Sequence, residues 1–197
     1  MKKPIVIKSY YKHYIESSSQ RVIALFAHFP DKEFSLSDVA KLTKVKKSNI
    51  GKMLNILYKE ELIIITKLKN IWRIKANRDN LKFIKMKIIY NLNFIYQSGL
   101  VEFLVDSYKN PKAIILFGSF RNGEDNSESD MDIAILDNSF KEYQTFYMRE
   151  LYEFEKEINR KIQVHLFNER LVDINVFNNI ANGIVLWGFL EVKPNLI

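Results

Sequence analysis

The sequence predicts an α+β chain built from two units, and three observations carry that prediction. Residues 18–57 place their apolar side chains at helical spacing, and two β-branched runs follow directly. In the second half, the short apolar runs AIILF and IAIL have strand length and flank a polar stretch. Charge is segregated: residues 1–110 carry 21 Lys/Arg against 9 Asp/Glu, a net of +12, whereas residues 111–197 carry 9 against 14, a net of −5. A Lys-rich solvated surface explains a high lysine content but not this division, which suggests two domains with different partners.

The 197 residues suffice to bury a core. There is no cysteine, which excludes disulfides and thiolate metal sites. The N-terminal stretch MKKPIVIKSYYKHYIESSS starts with charge but contains only a three-residue apolar run, so it does not read as a signal peptide. No apolar segment approaches the length that spans a bilayer. The expectation is a cytoplasmic protein without a membrane partner.

The elements of the basic half follow one another at short intervals. Ser17–Ser19 offer a cap to a helix whose Val22, Ile23, Leu25, Phe26 and Phe29 share a face. Pro30-Asp31 ends it. Ser35 or Ser37 caps a short helix carrying Leu36, Val39, Ala40 and Leu42, and a turn at Thr43–Val45 leads to a third helix from Lys47 with Ile50, Met53/Leu54 and Leu57 as its buried stripe. LIIITKL and IWRIKA, separated by Lys69-Asn70, read as a hairpin. The order helix, helix, turn, helix, hairpin over residues 18–78 resembles a winged helix-turn-helix domain. Glu61 stands where that family usually carries Gly. The resemblance implies that the third helix enters a nucleic-acid groove while the hairpin straddles phosphates. On that reading Lys46, Lys47 and Lys52 neutralise phosphate, Ser48, Asn49 and Asn55 hydrogen-bond backbone or base edges, and Lys67, Lys69 and Arg73 serve the wing. Winged helices also dock proteins or dimerise, and that alternative stays open.

Residues 79–110 form a connecting amphipathic helix, with Phe83, Met86, Tyr90, Phe94, Val101 and Leu104 at helical spacing and a bend expected at Ser98-Gly99. The expected organisation is an N-terminal extension at 1–17, a winged helix at 18–78, the connector at 79–110 and a second domain at 111–197.

That second domain holds the stretch AIILFGSFRNGEDNSESDMDIAIL, residues 113–136. One strand ends in Gly118-Ser119, and the next opens with Asp130 and Asp132. Residues i and i+2 of a strand share a face, so the two carboxylates project together. Two like charges this close call for a hard divalent cation, which takes oxygen ligands and leaves room for substrate phosphates. Backbone N–H groups and a hydroxyl at the Gly-Ser turn suit phosphate oxygens. Together they fit phosphoryl or nucleotidyl transfer. Turn chemistry alone is the plainer account of an Asp-x-Asp after a Ser/Asn-rich loop, and the Gly-Ser weighs against it.

LFGSFRNGEDNSESDMDIAIL resembles the signature of polymerase-β-like nucleotidyltransferases, especially the minimal ones: Gly118, Ser119, Gly123, Asp130 and Asp132 match, with ten residues between Ser119 and Asp130. The resemblance, covering roughly 111–190, implies a mixed sheet flanked by helices and a Mg²⁺ or Mn²⁺ ion on Asp130 and Asp132. It further implies a nucleoside triphosphate contacted by Gly118, Ser119 and Gly123. Active members supply a third carboxylate from a later strand. Here a helix is expected over 140–158 and the strand over 161–167, which puts Gln163 or, with a register shift, His165 at that place. Gln163 can coordinate but not accept a proton, whereas His165 offers a base. The tail LVDINVFNNIANGIVLWG reads as a short helix and an apolar closing segment, with Trp187 in packing.

Two functions compete, beside a third reading as a protein-interaction module with neither activity. One is a Mg-dependent nucleotidyltransferase that passes NMP from an NTP to a protein or small-molecule acceptor, tethered to nucleic acid by its winged helix. The other is a DNA-binding regulator whose degenerate nucleotidyltransferase domain, lacking the third carboxylate, only binds ligand or a protein partner. A homodimer is compatible with either.

Overall fold

The computed structural model describes residues 17–69 and 71–192. The N-terminal extension, apart from Ser17, therefore lies outside the described residues, as does Asn70 of the expected hairpin turn. Three helices open the described chain: α1 (Ser18–His28), α2 (Leu36–Thr43) and α3 (Lys47–Lys59). The first two start at capping boxes. Ser17 Oγ accepts from Gln20 N at 3.1 Å, and Gln20 Oε1 accepts in return from Ser17 N at 3.2 Å. Ser35, not Ser37, caps α2, pairing with Asp38 in the same way. Lys46 precedes α3 without a side-chain cap, and its carbonyl accepts from Asn49 N at 2.9 Å.

A two-stranded antiparallel hairpin follows, β1 (Ile63–Leu68) with β2 (Ile71–Ala76), in register from Ile63↔Ala76 to Leu68↔Ile71. Val22, Phe26, Val39, Ile50, Leu54, Ile63, Ile74 and Phe83 form one core beneath these elements. Glu61, at the entry to β1, sits in the left-handed region with φ +59°, where glycine is the easy residue.

Two helices link this unit to the sheet, α4 (Leu81–Ser98) and α5 (Leu100–Ser107). Gly99, with φ +84°, makes the break. Phe83 of α4 belongs to the first core, whereas Phe94 and Ile95 belong to the second, so one helix is built into both.

The second unit is a five-stranded sheet in the order β5-β6-β4-β3-β7, formed by β3 (Ala113–Phe117), β4 (Met131–Leu136), β5 (Gln144–Tyr147), β6 (Ile162–Phe167) and β7 (Ile184–Gly188). Only β4 and β6 run parallel, so the sheet is mixed. A five-residue helix, α6 (Gly118–Asn122), links β3 to the loop before β4. Alternation along the strands builds two cores. Ile114, Leu116, Ile133, Ile135 and Val164 meet α4, α5 and α7 (Tyr152–Ile158); Ile115, Phe117, Ala134, Leu136 and Phe167 meet α8 (Ile174–Ala181).

The expected helix over 140–158 is not formed. Residues 140–143 are irregular, Gln144–Tyr147 is strand β5, a 3₁₀ turn follows at Arg149–Leu151, and only the last seven residues are α7. The run Gln144-Thr145-Phe146-Tyr147 is rich in β-formers, and the free edge of β6 offers it hydrogen bonds that a lone helix turn does not. Trp187, expected in packing, is 44% exposed on the edge strand β7. No helix among the described residues is long and apolar enough to cross a membrane.

Charged groups tie the two units together. Asp125, in the loop before β4, is fully buried; Lys87 Nζ of α4 binds its Oδ1, and Arg160 Nη2 meets its Oδ2 at 3.3 Å. The same Arg160 nitrogen donates to His28 O at 3.0 Å. Asn91 Nδ2 donates to both Asp125 Oδ1 and Phe120 O. Nearby, Asp31 accepts from the amide and hydroxyl of Ser127 at 2.9 and 2.5 Å.

Candidate functional site

Asp132 lies opposite Phe117 on β3 and opposite Gln163 on β6, so Gln163 takes the lateral position at which a third carboxylate was sought. His165 pairs with Ala134, two residues on, and shares the face of Asp132 and Gln163. Gly118 follows Phe117 directly with φ +72°; a Cβ there would collide with Asp132 Oδ2. The Gly-Ser turn and the second aspartate are therefore in contact, brought together by the antiparallel pairing of β3 with β4.

The other carboxylate contacts come from β5, β6 and the segment before β5. His165 Nε2 lies 3.2 Å from Asp132 Oδ1, and its Nδ1 lies 2.6 Å from Tyr143 Oη. A carboxylate only accepts, which assigns the proton to Nε2 and makes Nδ1 the acceptor of the Tyr143 hydroxyl. The Phe117 ring meets the His165 ring edge-on at 4.8 Å and fixes its plane. Tyr147 Oη donates to Asp130 Oδ2 at 2.8 Å, and Gln163 Nε2 reaches Tyr147 Oη at 3.4 Å. The hydrogen bond to Asp130 raises the Tyr147 phenol above its ordinary pKa, with burial and the carboxylate charges adding to it. Burial first, then the charge of Asp132, raises Tyr143.

Glu155 of α7 is the buried carboxylate beside this group, lining a cleft with Asp130, Tyr152 and Lys161. Lys161 Nζ at 2.8 Å and the Ile162 amide at 3.1 Å already engage it. Among the described residues no cluster of three or more acidic or imidazole side chains is arranged to hold a metal ion. Two carboxylates with oxygens to spare still fit a hard cation that keeps water and phosphate ligands.

On the far side of Asp132, a cleft of about 430 Å³ is lined by Phe117, Gly118, Ser119, Arg121, Asn122, Glu124, Asn179 and Asn182. Gly123 is not among them. It is buried with φ +73°, and a Cβ there would stand 2.7 Å from Ile84 O, so it allows the turn after α6 to press against α4.

The nine residues expected to meet nucleic acid all lie on the first unit. Lys46, just before α3, and Lys47, Ser48, Asn49, Lys52 and Asn55 on it are exposed, away from the buried Ile50, Leu54 and Leu57. On the hairpin, Lys67 Nζ sits 4.6 Å above the Trp72 ring, Lys69 is exposed at the turn, and Arg73 pairs with Glu33 at 3.6 Å.

Sequence reasoning missed Tyr143, Tyr147, Arg121 and the two asparagines at the end of α8. The signal for the tyrosines was the alternation Tyr143, Thr145, Tyr147, which places all three beside Gln163 and His165 once the segment is extended. Nothing local marks Asn179 and Asn182, because α8 reaches the cleft only through the sheet.

Residues 100–188 match the family model described as polymerase beta, nucleotidyltransferase. The match runs from α5 to the end of β7, takes in all five strands of the larger sheet, and supports a nucleotidyltransferase domain in the C-terminal half. No curated protein and no solved structure matches the chain significantly.

Proposed function

We propose that this chain is a nucleotide-responsive nucleic-acid-binding protein. Its nucleotidyltransferase-type domain holds a nucleoside triphosphate with Mg²⁺ or Mn²⁺, and its N-terminal unit is a winged helix. The observation that carries the reading is the contact of Gly118 with Asp132, which supports a role for the Gly-Ser turn beside the second aspartate. Asp130 and Asp132 hold the ion. Ser119 and the amides of the Gly118 turn meet phosphate oxygens, and the ion neutralises the same phosphates from the other side. Three helices followed by a hairpin, with six exposed Lys, Ser and Asn residues along α3 and its entry, support the winged-helix assignment.

Binding is favoured over transfer by the chemistry beside Asp132. Gln163 cannot take the proton of an attacking hydroxyl, and both nitrogens of His165 are engaged. Transfer of NMP to a protein or small-molecule acceptor is the second reading, and the family match favours it. Calorimetric titration of the full chain with ATP tests the binding claim. Affinity is expected to rise at least tenfold with Mg²⁺, and Asp130→Asn with Asp132→Asn is expected to abolish that gain in a folded protein. Equal affinity with and without metal overturns the reading.

A further inference from the structure

We propose that two copies of this chain associate through strand β7, across a two-fold axis close to Trp187. The inference does not depend on the metal-nucleotide reading above. β7 is the last strand of the five-stranded sheet and pairs only with β3 among the described residues, so its other side is a free edge. Val185, Trp187 and Phe189, with Val192 just beyond the strand, are 43%, 44%, 74% and 59% exposed, whereas Leu186 and Leu190 between them are buried. An open apolar edge pairs readily with another chain, and natural edges are guarded by charge, proline or brevity. The opposite edge of this sheet has that guard: β5 is four residues long and stands between Lys141-Glu142 and Arg149-Glu150. β7 lacks the charges and the proline. From Ile174 to Leu190 the chain carries neither.

The absence of charge selects the occupant. Nucleic acid, or the charged face of another protein, finds nothing complementary on this edge. A second β7 does. A two-fold axis sets the strand against its own sequence run backwards, so a charge on the edge would be brought close to its copy and repelled, whereas a neutral edge is not. The exposed residues are also placed evenly about Trp187. With the axis there, the two indoles meet, and Val185 comes opposite Phe189 of the second copy. Aromatic–aromatic and aromatic–β-branched pairs are among the favourable cross-strand neighbours. Gly188, with φ +70°, and the register shift opposite Ile114 and Ile115 bend β7. The contact is therefore carried by these side chains more than by a long ladder. Its size lies at the small end of specific interfaces, which makes the association reversible and concentration-dependent.

Sedimentation equilibrium of the full chain, from low to high micromolar concentration and at low and high salt, tests the proposal. The expected result is a reversible shift from the 23.3 kDa chain to twice that mass. The shift is expected to be the same at both salt levels, because no charges meet in the contact. Val185→Lys with Trp187→Lys is expected to weaken association at least tenfold, because the added cations then face their copies. If that variant does not fold, Trp187→Cys serves in its place. The chain has no cysteine, so oxidation is expected to link two copies through position 187 and not through Ser37→Cys, an exposed control on α2. A chain that stays monomeric at every concentration overturns the inference and leaves the edge to residues 193–197 or to another protein. Association that weakens with salt, a mass that climbs past the dimer, or a folded double variant that associates like the parent overturns it too. Equal linking through positions 37 and 187 does the same.

Discussion

His165 and Gly118 act on Asp132 from opposite sides, one by donating a hydrogen bond and the other by having no side chain. Replacing Gly118 with alanine forces a left-handed backbone on a residue that resists it, at about 1–2 kcal/mol, and drives a methyl group into Asp132 Oδ2. Gly118→Ala is therefore expected to fold with a lowered melting temperature and to lose at least tenfold in Mg·ATP affinity; unchanged affinity by calorimetry would detach the turn from the site. Glu61 gives the opposite experiment. It holds φ +59° while its carbonyl accepts from Asn77 Nδ2 at 2.9 Å. Glu61→Val is expected to destabilise the fold, because a β-branched side chain fits positive φ worse than Glu does, and Glu61→Gly to stay within about 1 kcal/mol of the parent, because relief of the backbone offsets the added freedom of the unfolded glycine. Chemical denaturation separates the two. Both residues were legible in part: Gly118 and Asp132 by motif, and Glu61 as an odd residue at a turn. The hydrogen-bond partners Tyr143 and Tyr147 were not, since their four-residue spacing imitates a helix face.

At the scale of elements, what could be read was what depends on local pattern. The helix caps, with Ser35 chosen over Ser37, the stripe of α3, the hairpin, the break at Gly99 and the buried strands all follow from residues within a few positions of one another. Strand β5 does not. Gln144–Tyr147 becomes extended because β6 has an open edge, and an edge appears only when the sheet is assembled. The register that sets Gln163 beside Asp132 was anticipated as one of two alternatives, and the parallel pairing of β4 with β6 selects it. Helix α3 carries the element-scale prediction. If Lys46, Lys47 and Lys52 each neutralise a phosphate, replacing all three by alanine lowers the slope of log affinity against log salt by roughly 3. Duplex binding of the full chain across a salt series measures it. No binding at low salt would instead favour a protein-docking role for the same helix.

In the whole molecule, the joint between the two units is the feature the sequence concealed, because its charges come from three distant segments. Lys87, Asp125 and Arg160 are buried together, with Arg160 also holding His28 O. Asp125→Ala leaves two buried cations without their shared carboxylate and is expected to cost about 3–5 kcal/mol, read by chemical denaturation. His28 adds a pH dependence. Burial, with the charges of Arg160, Lys32 and Lys87, lowers its pKa from 6.5 to about 4. The unfolded chain thus binds the proton more readily, so this stability is present above pH 6.5 and is lost as pH falls towards 4, about 3 kcal/mol in all. His28→Gln is expected to flatten that part of the acid unfolding profile; a profile unchanged by the substitution would place the loss elsewhere. The joint also ties the loop that carries Asp125 to Asp130 to Lys87 of α4 and to Asp31 just beyond α1. The central claim remains that the site holds Mg·ATP without spending it. The measurement that tests it most directly is equilibrium dialysis of the full chain against labelled ATP, with and without Mg²⁺, followed by chromatography of the bound nucleotide. The account predicts Mg²⁺-dependent retention of intact ATP. Release of pyrophosphate, or retention that ignores Mg²⁺, would contradict it.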